Sequence, residues 1–133
     1  MSSQEISPLI ANVHEKSQGS KNYREVLFTG QHSQFVLMDI PPNQDIELEV
    51  HPNNDQMVRI ESGIATLLIG KTKTSLKKYH LHYGDMVIVP AGYWHQFINI
   101  STTTALKITT LYSGNKNLHK EGTIQATRPD SDD

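Results

Sequence analysis

The sequence predicts an all-β domain built as an antiparallel jelly-roll barrel. Three observations predict it. Short apolar or alternating segments follow one another from Gln34 to Tyr112, and Gly, Pro and Asn clusters separate them at regular intervals. Strands this short with turns this regular are unlike a parallel sheet with crossover helices. No internal repeat is evident, so the chain has material for one barrel rather than two.

The elements follow in order. Residues 1–30 form an arm. Ser7 before Pro8, Leu9 and Ile10 reads as an N-cap with Pro at the first helical position, and the helix cannot run far past Gly19. Tyr23 to Phe28 has the composition of a short strand. Residues 31–112 are the barrel. Phe35 to Ile40 is an apolar run stopped by Pro41 and Pro42. Asp45 to His51 alternates, with Pro52, Asn53 and Asn54 as its turn. Gln56 to Glu61 ends at Ser62 and Gly63, and Ile64 to Ile69 leads into Gly70 and a lysine-rich tip. Ser75 to Tyr83, Met86 to Val89, Tyr93 to Ile100 and Ala105 to Tyr112 complete the set. Val36, Met38, Ile40, Val58, Ile60, Leu67, Val87, Val89, Phe97 and Ile108 are the expected apolar lining. Residues 113–133 are a polar tail, expected to drape over the barrel at Leu118 and Ile124 and then fray.

Composition narrows the function. A chain of 133 residues is one domain with one core. The net charge of −2, with Lys and Arg scattered except around Lys71 to Lys78, argues against nucleic acid as a partner. With no cysteine there are no disulfides, thiolate metal sites or thiol nucleophiles. The first thirty residues hold no apolar run of signal-peptide length, and no segment approaches a membrane span, so a cytoplasmic protein without membrane contact is the expectation.

The most informative segment is Gly84 to Asn99. Gly84 and Asp85 make one tight turn and Pro90, Ala91 and Gly92 a second. The following strand carries His95, Phe97 and Asn99 on one face by period-two alternation. Gly, five residues, Pro, one, Gly, two, His, three, Asn is the spacing of the second cupin motif. It is met at Gly84, Pro90, Gly92, His95 and Asn99. The first cupin motif is altered: counting back from Gly63 gives Gln56 where the family usually has Glu, and the His-x-His pair becomes Glu49 and His51. The chain therefore resembles the cupin superfamily over about residues 31–112, and within it the small, single-domain, mostly bacterial type-2 cupins of largely unassigned function. The resemblance implies a double-stranded β-helix, the cupin form of the jelly roll. It also implies a homodimer, with residues 22–30 adding to a neighbouring sheet.

The site follows from strand faces. By alternation Glu47, Glu49 and His51 share one face, and Ile46, Leu48 and Val50 the other. A carboxylate turned into a barrel must be paired, protonated or bound to a cation. A divalent metal held by Glu49, His51 and His95, with Gln56 as fourth ligand or as partner of a bound water, explains the arrangement economically. Two imidazoles and a carboxylate suit Fe(II), Zn, Mn or Ni. Asp55 is the rival to Gln56 if the register slips by one. Glu47 is the expected general base if it reaches the cavity. His80 and His82 form a literal His-x-His pair, but Tyr79, Leu81 and Tyr83 alternate with them; Leu81 should face the core and both histidines the solvent. His14, His32 and His119 belong to the arm, a turn and the tail, with no site role. Arg59 is expected at the surface or a dimer contact, Asn99 as a structural anchor, and Tyr93, Trp94 and Tyr112 at the mouth or between subunits.

The leading functional expectation is a metal-binding cupin that takes a small organic or sugar-like molecule, as an oxygenase or isomerase. A non-catalytic binding or sensor module, and a structural barrel whose metal site has decayed, stand beside it.

Overall fold

The computed structural model describes residues 6–129. One helix, α1 (Val13–Gly19), precedes ten strands: β1 (Arg24–Thr29), β2 (Ser33–Ile40), β3 (Asp45–Val50), β4 (Gln56–Ser62), β5 (Ala65–Thr72), β6 (Ser75–Leu81), β7 (Met86–Val89), β8 (Trp94–Ile98), β9 (Leu106–Ser113) and β10 (Ile124–Gln125). They form two antiparallel sheets, a six-stranded one in the order β10-β1-β2-β9-β4-β7 and a four-stranded one in the order β3-β8-β5-β6. This is the expected jelly roll. The core lies between the sheets: Val36, Met38, Ile40, Val58, Ile60, Leu67, Phe97 and Ile108 are buried together, with Val87 and Leu81 packed against them.

The turns follow their residues. Gly63, Gly84 and Gly92 all take positive φ. At Gly63 the chain also passes so close to the β9 strand that a Cβ would lie 2.6 Å from the Ala105 carbonyl oxygen, so this glycine is required twice over. Asn99 anchors the loop between β8 and β9: its Nδ2 lies 3.0, 3.2 and 2.9 Å from the carbonyls of Ile40, Pro41 and Thr104, and its Oδ1 accepts from Ser101 N–H.

Four expectations need correction. The helix does not start at Ser7; residues 6–12 are not helical, and Asn12 caps α1 by accepting from the Glu15 N–H at 2.9 Å. A helix begun at Pro8 would still leave Leu9 and Ile10 without a core, so the Asn cap beside the barrel wins. The segment 22–30 does not wait for a partner: β1 pairs with β2 of its own chain and with β10. In the tail, Leu118 packs on the core as expected, whereas Ile124 is exposed and contributes through β10 backbone pairing instead. The fourth correction sits in β3. Ile46 pairs with Phe97 and Glu49 with His95, so three β3 steps oppose two in β8. This bulge breaks the alternation. Ile46 and Glu49 both face inward, and Glu47 does not share their face.

Candidate metal centre

Strand β8 carries His95 into the barrel, where it is 1% exposed. Its Nδ1 lies 3.0 Å from the Tyr93 carbonyl oxygen, which can only accept. The proton is therefore on Nδ1, and Nε2 presents a lone pair to the interior. Across the sheet, the β3 bulge delivers Glu49 opposite His95, and His51 follows at the strand's end. Glu49 Oε2 lies 3.3 Å from His51 Nε2 and 3.6 Å from His95 Nε2. One ligand atom from each of the three residues falls within 4.8 Å of the others. The two imidazole rings are tilted at 5.1 Å between centroids. Burial opposes ionisation of Glu49, but the hydrogen bonding and charge of His51 and His95 outweigh it and hold the carboxyl at about 2.

Gln56 enters from β4. It is buried, and its Nε2 donates to Thr110 Oγ1 at 3.1 Å and towards the Tyr112 hydroxyl at 3.4 Å. The Tyr112 ring lies edge-on to His51, 5.6 Å away. With both amide protons directed to β9, the carbonyl end of Gln56 is left over. Gln56 Oε1, His51 Nε2 and His95 Nε2 are all buried without a hydrogen-bond partner. Orphaned buried polar atoms each cost about 1–3 kcal/mol. Three such atoms gathered at a carboxylate, with the Gln56 amide protons directed to β9, form a set that fits a divalent cation. Asp55 is excluded from it: its Oδ1 accepts from Ala91 N–H at 2.9 Å and it stays exposed.

Glu47 is not brought to this group. Its side chain is 60% exposed, on the rim of a small pocket that Glu49 also lines, 3.6 Å from Arg128. His80 and His82 point outward as expected; His80 meets Thr66 Oγ1 at 3.2 Å and His82 meets Asp85. His32 contacts Asn115, and His14 lies 2.9 Å from the buried carboxylate of Glu61. Arg59 is half-exposed beside Glu61. Tyr112 is buried within the site, and burial followed by the charge of Glu49 pushes its hydroxyl up in pKa. Tyr93 instead lines a groove of about 790 Å³ between the β6 and β7 edges, which includes none of the four ligand candidates.

Sequence reasoning missed His119 and Arg24. The tail folds back so that Gln34 grips the His119 backbone at both its N–H and its carbonyl. The imidazole then lies 5.8 Å from Tyr112. Burial, then the charge of Arg24, outweighs the pull of Glu49 and lowers His119 to about 4. Nothing local in the tail sequence marks this; only buried Gln34, 85 residues away, holds it.

The comparisons bear on the family and the fold. The Cupin domain family profile matches residues 36–112, which span every ligand candidate. An uncharacterised protein of Acanthamoeba polyphaga mimivirus is 44% identical over 92% of this chain and 74% of its own length. The uncharacterised protein YrkC of Bacillus subtilis strain 168 is 37% identical over 93% of this chain, which covers 66% of YrkC. Among solved structures, BH2720 from Bacillus halodurans superposes with a TM-score of 0.85 at 30% identity, covering 90% of this chain and 89% of its own. With the two-sheet barrel, the motif spacing from Gly84 to Asn99 and the family match all in agreement, the chain belongs to the cupin family.

Proposed function

We propose that this cupin holds one divalent metal ion through Glu49, His51 and His95, with Gln56 as a direct ligand or as partner of a bound water, and that the site acts on a small organic molecule. The observation that carries the reading is that His51 Nε2, His95 Nε2 and Gln56 Oε1 are buried without a hydrogen-bond partner beside the Glu49 carboxylate. The donor set suits iron, zinc, manganese or nickel. Such an ion supplies Lewis acidity or oxygen activation for an isomerisation or oxidation. The residues do the rest. His95 is fixed in one tautomer by Tyr93, Glu49 stays ionised, and the Tyr112 hydroxyl keeps its proton. Glu47, on the rim, is the group able to exchange a proton with a molecule at the mouth.

The test is the metal content of protein purified without a His-tag, beside His51→Ala and His95→Ala. About one equivalent in the wild type, lost in both variants with the β fold retained, is expected. Full metal in His51→Ala, or none after reconstitution with iron, manganese, nickel and zinc, overturns the reading. If metal is present, Glu47→Gln should leave its content unchanged and lower turnover of any substrate found.

A further inference from the structure

Glu49, alone of the ligand group, also lines a pocket of about 170 Å³, together with Tyr23, Arg24, Ile46, Glu47 and Arg128. The charges around it are not matched. Arg128 is used up: it lies 3.0 Å from Asp45 and 3.6 Å from Glu47. Glu49 is engaged by the two histidines. Arg24 has no acidic partner among the described residues.

Arg24 is nevertheless held in place. Its guanidinium lies 5.4 Å from the centroid of the Tyr23 ring, and one terminal nitrogen donates to Gln125 Oε1. Tyr23 is itself fixed, donating its hydroxyl to the Asp45 carbonyl at 3.1 Å. The Arg24 Nε–H is buried without any partner. A cation that is oriented by neutral groups and retains an unused buried donor is the pattern of an anion anchor. The guanidinium fork, Nε–H with a terminal N–H, matches a carboxylate edge to edge.

We propose that Arg24 binds the carboxylate of a small organic acid in this pocket, presenting the remainder of the molecule to the Glu49–His51–His95 group. The inference rests on the metal-site reading for what happens to the acid, but not for its binding. The fork left free on Arg24, Nε–H with a terminal N–H, takes a single carboxylate edge. At about 30 Å³ for each water-sized group the pocket holds about five or six non-hydrogen atoms, the size of propionate or pyruvate.

The test titrates propionate, pyruvate, propionamide and inorganic phosphate into the wild type, Arg24→Gln and Arg24→Lys, each after its metal content is known. The Arg24 Nε–H resonance in the wild type is followed by NMR. Propionate and pyruvate are expected to move that resonance. Arg24→Gln should weaken both by about ten- to a hundredfold, Arg24→Lys by less, with metal content unchanged. Propionamide should bind weakly to all three. Carboxylates that leave the resonance unmoved, that bind Arg24→Gln as tightly as the wild type, or that bind no better than propionamide or phosphate overturn the proposal. The two readings fail separately. A wild type without metal that still shows Arg24-dependent carboxylate binding removes the metal reading alone. A metal-loaded wild type without such binding removes this one alone.

Discussion

His95 illustrates how one side chain is committed by its backbone neighbour. A carbonyl two residues away fixes the proton on Nδ1, and burial then leaves Nε2 no partner but what the barrel brings. His119 is committed in the opposite sense, towards neutrality. Its pKa in the folded chain is about 4 against an ordinary 6.5. Between those values the unfolded chain takes up a proton that the folded chain refuses, so this contribution to stability is complete above pH 6.5 and is lost as pH falls towards 4. His119→Phe keeps a ring against Tyr112 and removes the titration. Denaturant melts at pH 7.5 and pH 5 should therefore show a smaller loss of stability in the variant than in the wild type. An equal loss in both would assign the acid sensitivity elsewhere.

At the scale of elements, the two motif glycines separate strain from packing. Gly92 has positive φ but open space where a Cβ would go, so Gly92→Ala should cost only the left-handed backbone penalty, about 1–2 kcal/mol. At Gly63 the added Cβ also meets the Ala105 carbonyl oxygen, and Gly63→Ala should lose about 1–3 kcal/mol more. Chemical denaturation of the pair measures the difference; equal costs would mean that the β9 strand moves aside freely. The β3 bulge belongs to this scale too. Period-two alternation places Glu47 beside Glu49, and a single extra residue opposite β8 undoes it. No residue between Ile46 and Glu49 is a glycine or proline that would mark the bulge in advance.

The whole molecule is closed by its last described segment. Gln34 is buried and holds His119 through two backbone hydrogen bonds; β10 pairs with β1; Arg128 reaches back to Asp45. Every ligand candidate lies before residue 114, so the tail covers the site without building it. Removing residues 114–133 should cost about 1–3 kcal/mol through the loss of these bonds and lower amide protection in β1 and β2, with metal content retained. Metal loss on truncation would make the tail part of the site itself.

The barrel, its strand order of turns and the inward histidine were legible because glycine and proline punctuation and period-two alternation are local rules. Gly84, Pro90, Gly92 and His95 obey them without help from distant residues. Glu49, His51 and Gln56 were picked out instead by resemblance to the first cupin motif, counted back from Gly63. Register across strands, helix placement and the path of a polar tail are not local. They depend on which surfaces remain to be covered once the sheets have packed. Hence the bulge that sends Glu47 to the rim, the shift of the helix cap from Ser7 to Asn12, and the arrival of Arg24 and His119 at the mouth were decided only by the tertiary structure, where burial and hydrogen bonds over long sequence separations outweigh any preference written in a short segment.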